Sequence, residues 1–123
     1  MSERLTLAQL DYPSIDVDRS VRFFTEMLGL PLLFRAGSLA FIDLGSARLY
    51  VRPVSDIAET KCASVLYLKT DNVDATIRQL ESRGAEIHEA PHIVAELPDH
   101  ILWMGFIRDP EGRLVGIMEE RRS

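Results

Sequence analysis

His92, Glu96 and His100 lie within nine residues of one another and carry the side-chain types that bind a metal ion or pass a proton. If strands near 86–94 and 101–108 pair as a hairpin with its tip near Glu96–Asp99, the two imidazoles come roughly opposite each other, with a carboxylate beside them. The spacing is not a recognised ligand motif, and polar residues at a hairpin tip need no function, so both readings stand. Trp103, Met104 and Phe106 follow in the next strand, one face of the trio suited to core and the other to a pocket wall or a dimer seam. Other chemistries lack their residues. There is no glycine-rich phosphate loop, no Ser/His/Asp order with a nucleophile elbow, and no Cys/His/Asn set. Cys62 is the single cysteine, so no intramolecular disulfide can form, and an unpaired thiol fits a reducing cytoplasm.

The elements that must position these residues are written twice. Asp16-Val-Asp-Arg-Ser-Val-Arg-Phe-Phe24 recurs 56 positions later as Asn72-Val-Asp-Ala-Thr-Ile-Arg-Gln-Leu80. Each copy opens on a residue able to cap a helix, places an acid in the first turn where the helix dipole favours it, and closes at a glycine, Gly29 or Gly84. The predicted helices are 17–28, with Val17, Val21, Phe24 and Leu28 as its apolar stripe, and 73–83. Around them, alternation predicts strands at 5–12, 32–35, 39–44 and 48–52 in the first copy. The second copy has strands at 63–70, 86–94, 101–108 and 114–119. Asp109-Pro-Glu-Gly112 reads as a type I turn. The fold class expected is α+β: two βαβββ modules, residues 5–52 and 63–120, joined by a linker at 53–62 within one domain of 1–123.

A chain of 123 residues with 46% apolar content can bury a core without staples. With 14 basic against 19 acidic residues the net charge is −5, and the arginines are scattered, which argues against nucleic acid or an anionic membrane as partner. No signal peptide or membrane span can be drawn, and the expected location is the cytoplasm.

The repeat, Met27-Leu-Gly-Leu30 and the Asp109-Pro-Glu-Gly112 turn together resemble the vicinal-oxygen-chelate superfamily of glyoxalase I, bleomycin-resistance proteins and extradiol dioxygenases. The segments Pro91-His-Ile-Val94 and Pro98 to Phe106 are similar to an uncharacterised glyoxalase-like subgroup. The resemblance implies paired modules curling into a cup-shaped mixed sheet, and four inward strand positions that hold a divalent metal in many members. Here those positions fall on Gln9, Tyr50, Val65 and Gly116. Only Gln9 is a permitted ligand, so the expectation is a protein without the family metal and with no other cofactor.

On the same alternation Leu7, Gln9 and Asp11 face inward with Arg48, Tyr50 and Arg52; Val65, Tyr67 and Lys69; and Leu114, Gly116 and Met118. Such a lining suits a small organic ligand, with Gln9 and His100 as polar contacts, Tyr50, Tyr67, Trp103 and His92 as wall, and room left at Gly116. Alternatively, the two tyrosines fill a closed core. Two functions of different class follow: a homodimeric small-molecule binder of the bleomycin-resistance kind, or a lyase, isomerase or dioxygenase with an altered or displaced metal site. No catalytic residue is assigned.

Overall fold

The structure is a computed structural model that describes residues 4–62 and 64–122. The chain divides into two compact units between residues 63 and 64. In the first, strand β1 (Gln9–Ser14) leads to helix α1 (Val17–Arg22), and β2 (Leu32–Ala36), β3 (Leu39–Asp43) and β4 (Arg48–Pro53) form an antiparallel meander. β1 returns to pair with β4 in parallel, giving the order β1-β4-β3-β2. The second unit repeats this plan: β5 (Leu66–Lys69), α2 (Val73–Ser82), β6 (Glu86–Glu96), β7 (His100–Arg108) and β8 (Leu114–Arg122), in the order β5-β8-β7-β6. The fold is α+β, with two similar βαβββ modules and two open four-stranded mixed sheets.

The repeat reaches the side chains. Asp16 Oδ1 accepts the Arg19 N–H at 3.1 Å and Asn72 Oδ1 the Ala75 N–H at 3.0 Å, each satisfying a donor that the helix leaves unpaired. Behind each cap the strand is bolted to the helix by two hydroxyls: Ser14 Oγ to Ser20 Oγ at 2.7 Å, and Thr70 Oγ1 to Thr76 Oγ1 at 2.7 Å. Both hydroxyl partners recur at the same 56-residue offset as the caps. Gly29 and Gly84 take φ of 72° and 96°, the left-handed conformation that ends a helix cheaply only at glycine. The second module adds a brace of its own, since Glu119 Oε1 on β8 accepts the Val73 N–H at 2.8 Å.

Several boundaries move. Leu5 and Leu7 alternate like a strand but are 94% and 64% exposed and lie before β1, because β4 begins at Arg48, opposite Gln9, and offers them no ladder. Helix 17–28 is α-helical only to Arg22; Phe23–Met27 widens into a π-turn, closed by Leu28 N–H to Phe23 O at 3.1 Å. Phe23 and Phe24, at the start of this turn, are both buried and meet edge-on at 5.3 Å. The expected linker contains a 3₁₀ turn at Ile57–Cys62, started by Asp56 Oδ1 accepting the Ala58 N–H at 2.9 Å. The Cys62 side chain and residue 63, where the sequence starts strand 5, lie outside the described residues.

Each sheet has one face against its helix. In the first, Tyr12, Ala40, Ile42, Leu49 and Val51 are buried, and the Tyr12 ring meets Phe24 edge-on at 5.0 Å. In the second, Leu66, Ile107, Val115 and Ile117 are buried with Val73, Ile77 and Leu80 of α2. Gly105 lets α2 approach closely, for a β-carbon there would stand 3.2 Å from Ile77. Neither α1 nor α2 covers the opposite, helix-free face of its sheet, and the polar and aromatic residues with functional potential collect there.

Candidate functional site

On the helix-free face of the first sheet, one rung crosses all four strands: Asp11 on β1, Tyr50 on β4, Phe41 on β3 and Phe34 on β2. The three rings stack in series, Phe34 on Phe41 at 4.5 Å and Phe41 on Tyr50 at 5.4 Å, with interplanar angles of 26° and 22°. Such cross-strand aromatic pairs stabilise a sheet and leave an apolar platform on its open side. Phe34 is 47% exposed whereas Phe41, between the other two rings, is buried, so the stack meets solvent through Phe34 at its outer edge.

Two arginines flank this rung from β4. Arg52 forms a bidentate pair with Asp11, Nε to Oδ1 at 2.7 Å and Nη2 to Oδ2 at 3.0 Å. The Asp11 hydrogen bond raises the Arg52 pKa above its ordinary value, so this guanidinium is both permanently charged and neutralised in place. Arg48 is placed differently. Its Nε donates to Gln9 Oε1 at 2.8 Å, and its guanidinium carbon lies 4.8 Å from the Phe41 ring centre and 5.9 Å from that of Phe34.

The second sheet's helix-free face carries Tyr67, Lys69, Phe106, Met104, Met118 and Glu120 by register. Tyr67 meets Phe106 edge-on at 6.0 Å. The room expected at Gly116 is taken: a β-carbon there would come within 2.5 Å of the Tyr67 ring and 3.2 Å of Phe106. Tyr67 lies over the glycine because residue 116 has no side chain to hold the ring off. His100 is held by acids, Nδ1 at 2.9 Å from Asp99 and Nε2 at 3.8 Å from Glu120, which also meets Lys69 at 3.2 Å.

The predicted pairing of His92 with His100 does not form. The hairpin closes through Leu97 N–H to His100 O, so His100 belongs to the tip itself, whereas His92 stands opposite Met104. That is four residues farther along β7, roughly 13 Å at the usual strand rise. His92 instead pairs with Glu89 at 3.2 Å. Trp103 is also displaced from the expected lining. It alternates onto the α2 side, opposite Glu119, where the Arg121 guanidinium lies 4.0 Å from its ring centre and reaches on to Asp74 in the first turn of α2. Hydrogen bonds to Glu119 and then to Asp74 raise the Arg121 pKa, and the cluster is a brace between β8 and α2. Sequence reasoning missed Phe34 and Phe41. Their aromatic character was visible, but only the β2-β3-β4 register shows that they continue the Tyr50 rung.

Residues 6–117 match the sequence profile of the Glyoxalase/Bleomycin resistance protein/Dioxygenase superfamily. The chain belongs to that superfamily. A probable lactoylglutathione lyase of Vibrio cholerae serotype O1 is 22% identical over 121 residues, covering 88% of this chain and 86% of that protein. Among solved structures, a lactoylglutathione lyase from Agrobacterium tumefaciens superposes with TM-score 0.70 at 19% identity over 95% of each chain. A glyoxalase/bleomycin resistance protein/dioxygenase from Nocardioides does so with TM-score 0.71 at 21% identity, over 98% of this chain and 87% of its own. At these identities the structures speak for the fold alone.

The divalent metal that the superfamily implies can be tested against the residues at its four strand positions. Gln9 offers an oxygen, but a guanidinium already occupies it and would repel a cation at the same atom. Tyr50 is a rung of the aromatic stack, Val65 has no donor atom, and Gly116 has no side chain and lies beneath the Tyr67 ring. Among the described residues, no three His, Cys, Asp or Glu side chains converge on a common point. The residues present do not fit the metal.

Proposed function

We propose that this superfamily member binds a small organic molecule on the helix-free faces of its sheets without the family metal, and that it does so as a homodimer in the cytoplasm. The observation that supports the reading best is the rung Asp11-Tyr50-Phe41-Phe34. It puts an apolar platform on a face where the same alternation supplies Gln9 and Arg48 as hydrogen-bonding groups. A few fixed polar groups beside aromatic surface are the usual make-up of a ligand site. Tyr67, Phe106 and His100 supply comparable surface in the second module, where His100 is already engaged by Asp99 and Glu120.

Chemistry follows from what each residue can do. Gln9 orients Arg48; the exposed Phe34 ring and the half-buried Tyr50 ring offer apolar surface at the two ends of the stack, and the Tyr50 hydroxyl can donate or accept. None of these is a nucleophile poised beside a base, so binding and orientation are the tasks the constellation supports. Metal analysis of protein purified without chelator tests the metal-free part. The expected result is substoichiometric zinc, nickel, manganese and iron; a stoichiometric ion lost on Gln9→Ala contradicts it.

A further inference from the structure

Among the described residues, Arg48 is a cation on the first sheet's helix-free face that pairs with no carboxylate. Asp11, two residues along β1 from the position opposite Arg48, is consumed by both arms of Arg52. Asp43 stands directly opposite Arg48 in register, yet its Oδ1 accepts the Gly45 N–H at 2.8 Å instead. Gln9 takes the Arg48 Nε, and among the described residues Nη1 and Nη2 meet no acceptor. What remains is the end-on pair of a guanidinium fork, two parallel donors spaced for the two oxygens of one anion. The guanidinium carbon also lies 4.8 Å from the Phe41 ring centre and 5.9 Å from that of Phe34, while Nε is pinned by Gln9. An immobilised arginine loses less side-chain entropy on binding than a free one.

We propose that Arg48 anchors the carboxylate of an aromatic acid whose ring lies against the solvent-facing side of the Phe34-Phe41-Tyr50 stack, where Phe34 is exposed. The proposal rests on the small-molecule reading above and names the ligand class for it. A carboxylate is planar like the guanidinium, so a bidentate pair continues the plane of the fork, and an aryl group conjugated to that carboxylate extends that plane as a flat apolar body. A tetrahedral phosphate fits the charge but does not share this plane.

Calorimetric titration of the full chain with 1-naphthoate, 1-naphthamide and 1-naphthyl phosphate tests the assignment. The acid is expected to bind about tenfold or more tightly than the amide, the worth of a charge-assisted pair, and at least as tightly as the phosphate. Arg48→Gln should erase the advantage of acid over amide, and Arg48→Lys, which keeps the charge but not the fork, should retain part of it. Equal binding of acid and amide by the wild-type protein overturns the anchor and leaves the small-molecule reading standing. So does an acid advantage that survives Arg48→Gln. Tighter binding of the phosphate overturns the carboxylate assignment. If none of the three binds, the proposal fails, and a broader compound screen then decides the small-molecule reading separately. Should Arg48→Gln not fold, the wild-type comparison of acid with amide still decides.

Discussion

Gly116 and Asp109 show how much one position decides. At Gly116 a β-carbon would meet the Tyr67 ring at 2.5 Å, so the space that the sequence assigns to a ligand belongs to a tyrosine. Tyr67 is 49% exposed and can swing aside, giving up its edge contact with Phe106. Gly116→Ala is therefore expected to cost about 1–3 kcal/mol, as overpacking does, and to be nearly neutral in a Tyr67→Ala background. Urea denaturation of the two single variants and the double variant measures that coupling; additive losses would show that the ring is not the obstacle. Asp109 presents the converse case. Its carboxylate accepts the Glu111 and Arg113 N–H groups at 2.9 and 2.7 Å and the Arg113 Nε at 2.7 Å, all within a turn whose acid is fully buried. Asp109→Ala removes one of the two carboxylates that face the buried Arg113 guanidinium, the other being Glu111 at 3.3 Å, and a loss of about 1–3 kcal/mol is expected in the same urea denaturation.

At the scale of elements, local chemistry was legible and partner-dependent geometry was not. Asp16, Asn72, Gly29 and Gly84 announce helix ends because capping and positive φ are properties of single residues. Ser14 and Thr70 stand at the same spacing, but they precede the helical pattern and read as strand residues until Ser20 and Thr76 are seen against them. Leu5 and Leu7 alternate correctly and still form no strand, since alternation does not supply a neighbour. The π-turn at Phe23–Met27 has no compositional sign. Register shifts along β6, between Ile87 and Glu89, Glu89 and His92, and Ile93 and Ala95, hide equally well, and the turn at Leu97–His100 separates the two histidines. The hydroxyl bolts carry a prediction. Ser14→Ala, at a fully buried pair, should lose about 1–3 kcal/mol, and Thr70→Val, at a half-covered one, less. Thermal melts that rank the two in the opposite order would remove burial as the cause.

Across the whole molecule, the two modules share topology and capping yet differ on their open faces. The first carries a stacked aromatic rung with an arginine that, among the described residues, pairs with no carboxylate, the second a tyrosine packed over glycine beside paired charges. The first module also ends in an exposed edge strand, β2, where Leu32, Leu33 and Phe34 are 40%, 46% and 47% exposed. An apolar edge of this kind is a pairing hazard unless something covers it, which accords with the proposed homodimer. Light scattering at micromolar concentration should give the dimer mass, and a monomer mass would count against it. The most direct test of the central claim is a thermal-shift screen of metal-stripped protein in excess chelator, against a library of aromatic acids and their neutral analogues. At a hundredfold excess over its dissociation constant a ligand adds about 2.7 kcal/mol, so a true ligand is easily seen. The expected result is at least one compound that raises Tm without metal and loses its effect in Tyr50→Ala. Shifts that appear only when zinc, nickel, manganese or iron is restored, and vanish in Gln9→Ala, would contradict the claim, as would a library in which nothing raises Tm.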